Sequence, residues 1–178
     1  MSSILKVNQI VDAGNNSLVK TDGSGTIDFA NTRLSNSPMW MVTKNTTQTV
    51  NSGQTVNVSF QTNLKMVNTT NEGGIIRGMT AGFYHVGCSL KYTGTSPNET
   101  IVGFKNQATI EISRSGTTLR KDPVLVNKSS AMAINSVVEV TNDNQSIRIK
   151  FTNDNTTDNF SLDRYEDKAI FWGYKLII

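Results

Sequence analysis

The sequence predicts an all-β protein, a β-sandwich head behind an extended N-terminal arm. Three observations carry that expectation. Apolar residues recur with a period of two, residues that favour turns separate those runs, and only 17% of residues are charged. An average globular protein carries about 25% charge. Asn, Thr, Ser and Gly make up the difference. They form helices poorly because their side chains compete for backbone hydrogen bonds or, for Gly, because the backbone entropy cost is high.

The alternation is clear in Val56, Val58 and Phe60, and again in Tyr84, Val86, Cys88, Leu90 and Tyr92. Side chains two apart on a strand share a face, so each run reads as a half-buried strand. Further strands are expected over 39–44, 108–112, 123–126, 134–140 and 147–151. Asn51-Ser52-Gly53, Asn71-Glu72-Gly73-Gly74, Ser115-Gly116 and Asn142-Asp143-Asn144 supply the turns between them. The chain closes on residues 169–178, a run apolar at both parities. A strand that is apolar on both faces belongs in the middle of a sheet, because at an edge it would invite aggregation. Tyr84, Val86, Leu90, Trp172, Tyr174 and Leu176 are the residues expected to line the interior of the head.

Residues 1–38 differ. Their apolar pieces, Leu5 and Val7, Ile10 and Val11, Leu18 and Val19, Ile27 and Phe29, are too short and too interrupted to form a core alone. Turn signals at 12–17 and 22–25 break the segment into little strands. Pro38 pushes Ser37 towards extended geometry and marks a joint. The reading is therefore an extended β-arm over 1–38 and a head over 39–178. Leu5, Val7, Ile10, Val11, Ile27 and Phe29 are the attachment residues. At 178 residues the chain suits one head with an appendage.

Several functions lose support at this level. The net charge is +3, but the Lys and Arg residues are scattered and form no stripe, so nucleic acid is not an expected partner. No run of about 18 apolar residues could span a bilayer, and the first residues lack the basic and apolar regions of a signal peptide. Synthesis in a cytoplasm without membrane insertion is expected. The single cysteine, Cys88, allows no disulfide within the chain and reads as a small buried hydrophobe in line with Val86 and Leu90. The single histidine, His85, has the opposite parity and no evident base or orienting partner. Asp163, Glu166 and Asp167 cluster before the last strand, and Asp154 and Asp158 sit in an Asn-rich stretch. They read as solvated loop charges rather than as the carboxylate pair of a glycosidase. Their spacing matches no EF-hand, and no Gly-rich loop leads from a strand into a helix. No catalytic residue, metal site or cofactor is expected.

Gly78-Met79-Thr80-Ala81-Gly82-Phe83-Tyr84-His85-Val86, followed by Phe171-Trp172-Gly173-Tyr174-Lys175-Leu176, resembles the tumour-necrosis-factor-like jelly roll, which includes the heads of the first complement component. In that superfamily a small residue and Gly precede a Tyr that opens a long central strand, and an aromatic-Gly-aromatic strand ends the chain. Val86 and Cys88 stand where the family prefers aromatics, and Ile76 where it prefers Phe. The resemblance covers residue 39 to the end and implies a jelly-roll β-sandwich that packs as a homotrimer. Residues 3–12, Ser-Ile-Leu-Lys-Val-Asn-Gln-Ile-Val-Asp, are similar to the opening of tail-fibre and virion-surface proteins of aquatic bacteriophages. The two resemblances imply a non-enzymatic structural protein on the exterior of a bacteriophage particle. As a short tail fibre or receptor-binding protein, it would attach through the arm to other virion proteins and present loops to a host surface glycan or protein. As a capsid cement, or decoration protein, the arm would clamp the major capsid protein and stabilise the head shell. The absence of heptads or a repeating shaft bears on the fibre reading. A glycan-binding or glycan-degrading jelly roll is a third reading, and the missing acid pair counts against it.

Overall fold

The computed structural model describes residues 9–11, 13–14, 17–21, 27–29, 38–94, 107–125, 129–154, 159–164 and 169–176. The chain divides into two compact units between Ser37 and Pro38. In the first, β1 (Gln9–Val11), β2 (Ser17–Thr21) and β3 (Ile27–Phe29) form an antiparallel sheet with β2 in the middle. Strands of three to five residues leave such a sheet marginal by itself.

The second unit is an all-β sandwich, and every strand pairing in it is antiparallel. One sheet runs β13 (Ser129–Val140), β10 (Gly82–Gly94), β16 (Ala169–Lys175), β4 (Met39–Thr43), β7 (Thr62–Val67). Beyond the end of β16, the same edge of β10 takes β15 (Phe160–Leu162), which in turn pairs with β5 (Gln48–Val50). The other sheet runs β12 (Thr117–Leu125), β11 (Gln107–Arg114), β14 (Ile147–Asn153). β6 (Thr55–Asn57) and β9 (Ile75–Arg77) share the far edge of β14, with β8 (Thr70–Glu72) outside β9. Strands distant in sequence lie side by side, which makes the sandwich a jelly roll. No helix occurs among the described residues. The last strand is central, between β10 and β4, as its two apolar faces demand.

Alternation sets the core. Tyr84, Val86, Cys88, Leu90 and Tyr92 point inward from β10, and Ile147, Ile149 and Phe151 from β14. Two aromatic groups anchor this core. Trp40 packs edge-on to Phe171 at 5.6 Å between ring centroids and against Tyr84 at 6.1 Å. Tyr92, Phe151 and Phe160 pack together elsewhere, at 5.6–6.3 Å. The Tyr84 hydroxyl donates to the Thr80 carbonyl at 2.7 Å and ties down the turn before β10.

Two expectations need correction. Residues 56–60 alternate, yet only Thr55–Asn57 pairs as a strand, and Val58 and Phe60 fill the core from irregular backbone. The inward phase of β16 is Ala169, Phe171 and Gly173, not Trp172, Tyr174 and Leu176. A strand apolar at both parities gives bulk no power to choose a face; the neighbour chooses. Gly173 lies opposite Trp40 on β4, and a Cβ at Gly173 would run into the Trp40 ring. The indole of Trp40 fills the space that Gly173 leaves, so the inward phase keeps the small residue.

Candidate self-association face

The inversion of β16 places Trp172 and Tyr174 on the outer face of the larger sheet, beside the odd-numbered residues of β10. Register then defines rows across the sheet. One row runs Val137, His85, Tyr174, Met39, Val67, and the next runs Asn135, Gly87, Trp172, Met41, Lys65. Gly87 is the outward counterpart of Gly173. A Cβ there would collide with Trp172, whose indole therefore lies over the backbone of β10. Trp172 stacks on Tyr174 at 6.1 Å with 14° between the rings. His85 stands edge-on to both, at 5.0 Å and 5.5 Å, and its Nδ1 is 3.0 Å from the Tyr174 hydroxyl.

This face is apolar where a sandwich surface is ordinarily polar. Val137 is 59% exposed, Tyr174 and Phe83 43%, and Met41 36%. Scattered exposed apolar residues carry no meaning, but these are neighbours in register on one sheet. The outer face of the other sheet shows the contrast. Glu111 and Lys150, opposite one another on β11 and β14, form an ion pair at 3.1 Å. Thr55 and Thr152 hydrogen-bond at 2.9 Å, and Thr109 donates to Asp154 at 2.7 Å. One outer face pairs polar groups across its strands, and the other sets exposed apolar side chains side by side.

The residues singled out from sequence distribute as follows. Tyr84, Val86 and Leu90 are fully buried inside the head. Trp172 and Leu176 are half-buried and Tyr174 is exposed, all outside the core. In the arm, Ile10 and Val11 lie on β1 and are exposed, and Ile27 and Phe29 lie on β3. Leu5 and Val7 lie outside the described residues, as do Asp158, Glu166 and Asp167. Val137, Phe83 and Met41 were not singled out from sequence. The odd parity of β10 and β13 was the signal that could have marked the first two, since Phe83 and Val137 break polar outward runs.

Among the described residues no base or nucleophile is paired with a carboxylate around His85 or Cys88. His85 and Cys88 project from opposite faces of β10, and burial pushes the Cys88 thiol well above its ordinary pKa, away from the reactive thiolate. The partner of His85 is a phenol rather than a carboxylate. Among the described residues no cluster of His, Cys, Asp and Glu could hold a metal ion.

Among the comparisons with known proteins, the solved structures bear on the fold. No protein-family model matches the chain, and no curated protein matches it significantly. Solved structures do. Murine APRIL aligns with a TM-score of 0.57 at 14% identity, over 79% of this chain and 99% of that one. The Eiger TNF of S. frugiperda aligns at 0.58 and 13%, over 79% and 93%. The globular domain of the zebrafish complement 1qA protein aligns at 0.54 and 13%, over 79% and 98%. At such identities the likeness is one of fold, the TNF and complement-head jelly roll.

Proposed function

We propose that this chain is a non-enzymatic structural protein that assembles as a homotrimer through the outer face of the β13-β10-β16-β4 sheet. We place it on the exterior of a bacteriophage particle as a short tail fibre or receptor-binding protein. The observation that carries the assembly is the aromatic outer face itself, with Trp172, Tyr174, His85 and Val137 side by side on a rigid sheet. Burying such a face against copies of the same chain gains the free energy that exposure forfeits, on the order of 25 cal/mol per Å² of apolar surface removed from water. A threefold ring closes when each copy offers two complementary patches, so no apolar surface is left to drive open-ended polymers. The number three follows the resemblance to TNF-like jelly rolls.

The place on a virion follows the resemblance of residues 3–12 to the opening of tail-fibre and virion-surface proteins. The arm supplies attachment to other virion proteins, and loops of the head are free to meet a host glycan or protein. The arm sheet has strands too short to be stable alone, and Ile10 and Val11 on it are exposed, which suits a segment completed by a partner. The experiment is to label the protein on intact particles with a head-specific antibody and image them. Label at the tail supports the reading. Label spread over the head shell replaces it with capsid decoration, and unlabelled particles overturn the virion assignment.

A further inference from the structure

We propose that His85 makes the assembly acid-sensitive: the one imidazole of the chain sits in the middle of the apolar outer face, between Val137 and Tyr174, where contact with a second copy would bury it. The inference rests on the self-association proposed above and adds its regulation.

Three observations support it. His85 is the only histidine in 178 residues, so no other side chain has an unperturbed titration between pH 5 and 7. Its position in the sheet is fixed by register, opposite Val137 on β13 and Tyr174 on β16. Its polar contact is with a neutral phenol, the Tyr174 hydroxyl, 3.0 Å from Nδ1. The flanking elements offer the imidazolium no countercharge. Trp172 and Tyr174 meet it from β16, Val137 from β13, and Met39 follows on β4. Among the described residues the charges nearest in register are Lys175, opposite Tyr84 with its Nζ donating to the Thr80 hydroxyl, Glu139, opposite Phe83, and Lys65, in the neighbouring row.

The consequence follows from linkage. On the free protomer the charged ring keeps water and two aromatic neighbours. In the assembly it loses water, its own row offers no carboxylate in exchange, and desolvation disfavours the charged form. Protons therefore bind the separated chain more tightly, and acid drives separation. Every ring that must give up its proton to enter the contact lowers the association constant further, and three rings take part.

Sedimentation velocity over a dilution series at pH 7.5 and pH 5.5, on the full chain and on His85→Gln and His85→Phe, tests the inference. The expected result is a wild-type trimer at pH 7.5 whose dissociation constant rises at least tenfold at pH 5.5, with both variants insensitive to the change. A wild-type trimer equally tight at both values overturns the inference and leaves the trimer standing. Acid dissociation that persists in both variants also overturns it, by moving the sensor elsewhere. A monomer at both values removes the self-association on which the inference rests.

Discussion

Lys44 is the residue whose environment departs furthest from its chemistry. It follows β4 and is 1% exposed, with its Nζ donating to the Ser59 carbonyl at 2.8 Å and to Gln48 Oε1 at 3.2 Å. Burial lowers its pKa to about 8, against a smaller opposing influence from Cys88. The folded pKa lies below the ordinary value, so the unfolded chain binds more protons between pH 8 and about 10.5, and this group makes stability rise with pH there. The Cys88 thiol, pushed up by burial, acts in the opposite sense above about pH 8.5. In a Cys88→Ala background, thermal melts should show Tm rising from pH 8 to 9.5, and adding Lys44→Met should flatten that slope. A slope unchanged by Lys44→Met would mean that the amine is not the group responsible. Gly173 gives a second test at this scale. Gly173→Ala would press a methyl group into the Trp40 ring, which is itself buried and has nowhere to move, and overpacking of this kind costs about 1–3 kcal/mol in chemical denaturation. Neither feature was legible in the sequence. Lys44 looked like the polar end of a strand, and nothing in a string of residues pairs Gly173 with Trp40, 133 positions away.

At the scale of elements, β16 divides two roles between its two faces. Phe171 faces inward, against Trp40 and Phe60 at 5.6 and 5.4 Å, and Trp172 faces outward over Gly87. Phe171→Ala should cost about 3–5 kcal/mol of folding stability. Trp172→Ala should cost the fold clearly less and weaken association instead, so a denaturation curve and a dilution series separate the two. Equal folding losses from both would show that the outer face stabilises the protomer rather than an assembly. Long strands were legible because alternation over seven or more residues fixes both existence and phase, as in β14, whose residues alternate buried and half-buried without a break. The phase of β16 was not, since both parities are apolar. β5, β8, β9 and β15 were missed because three residues carry no period; their pairing partners in the folded sheet create them. The edge strand β7 was missed as well. It carries Lys65 and, opposite Met41 and Val42, an extra residue that shifts the register, two devices that discourage pairing with another chain along this edge.

For the whole molecule, the head has its own core, whereas the arm sheet is built of strands only three to five residues long. Removal of residues 1–37 should leave a soluble head with a sharp unfolding transition, because every buried core residue among the described ones lies at Trp40 or beyond. The truncated head should still self-associate, yet fail to add back to particles lacking the native protein. A truncated chain that does not fold would make the arm part of the sandwich, and full occupancy on particles would make it dispensable. The jelly roll came from the resemblance of residues 78–86 and 171–176, and the β-sandwich was legible because composition, alternation and turn residues all pointed the same way. The face was not, because it depends on which strands become neighbours. The central claim is that this face joins copies of the chain, and the most direct measurement is native mass by multi-angle light scattering at pH 7.5 and micromolar concentration. The account predicts about three times 19.5 kDa for the native protein and a folded monomer for Val137→Glu combined with Tyr174→Glu. A native protein of 19.5 kDa, or a double variant with undiminished mass, would contradict it.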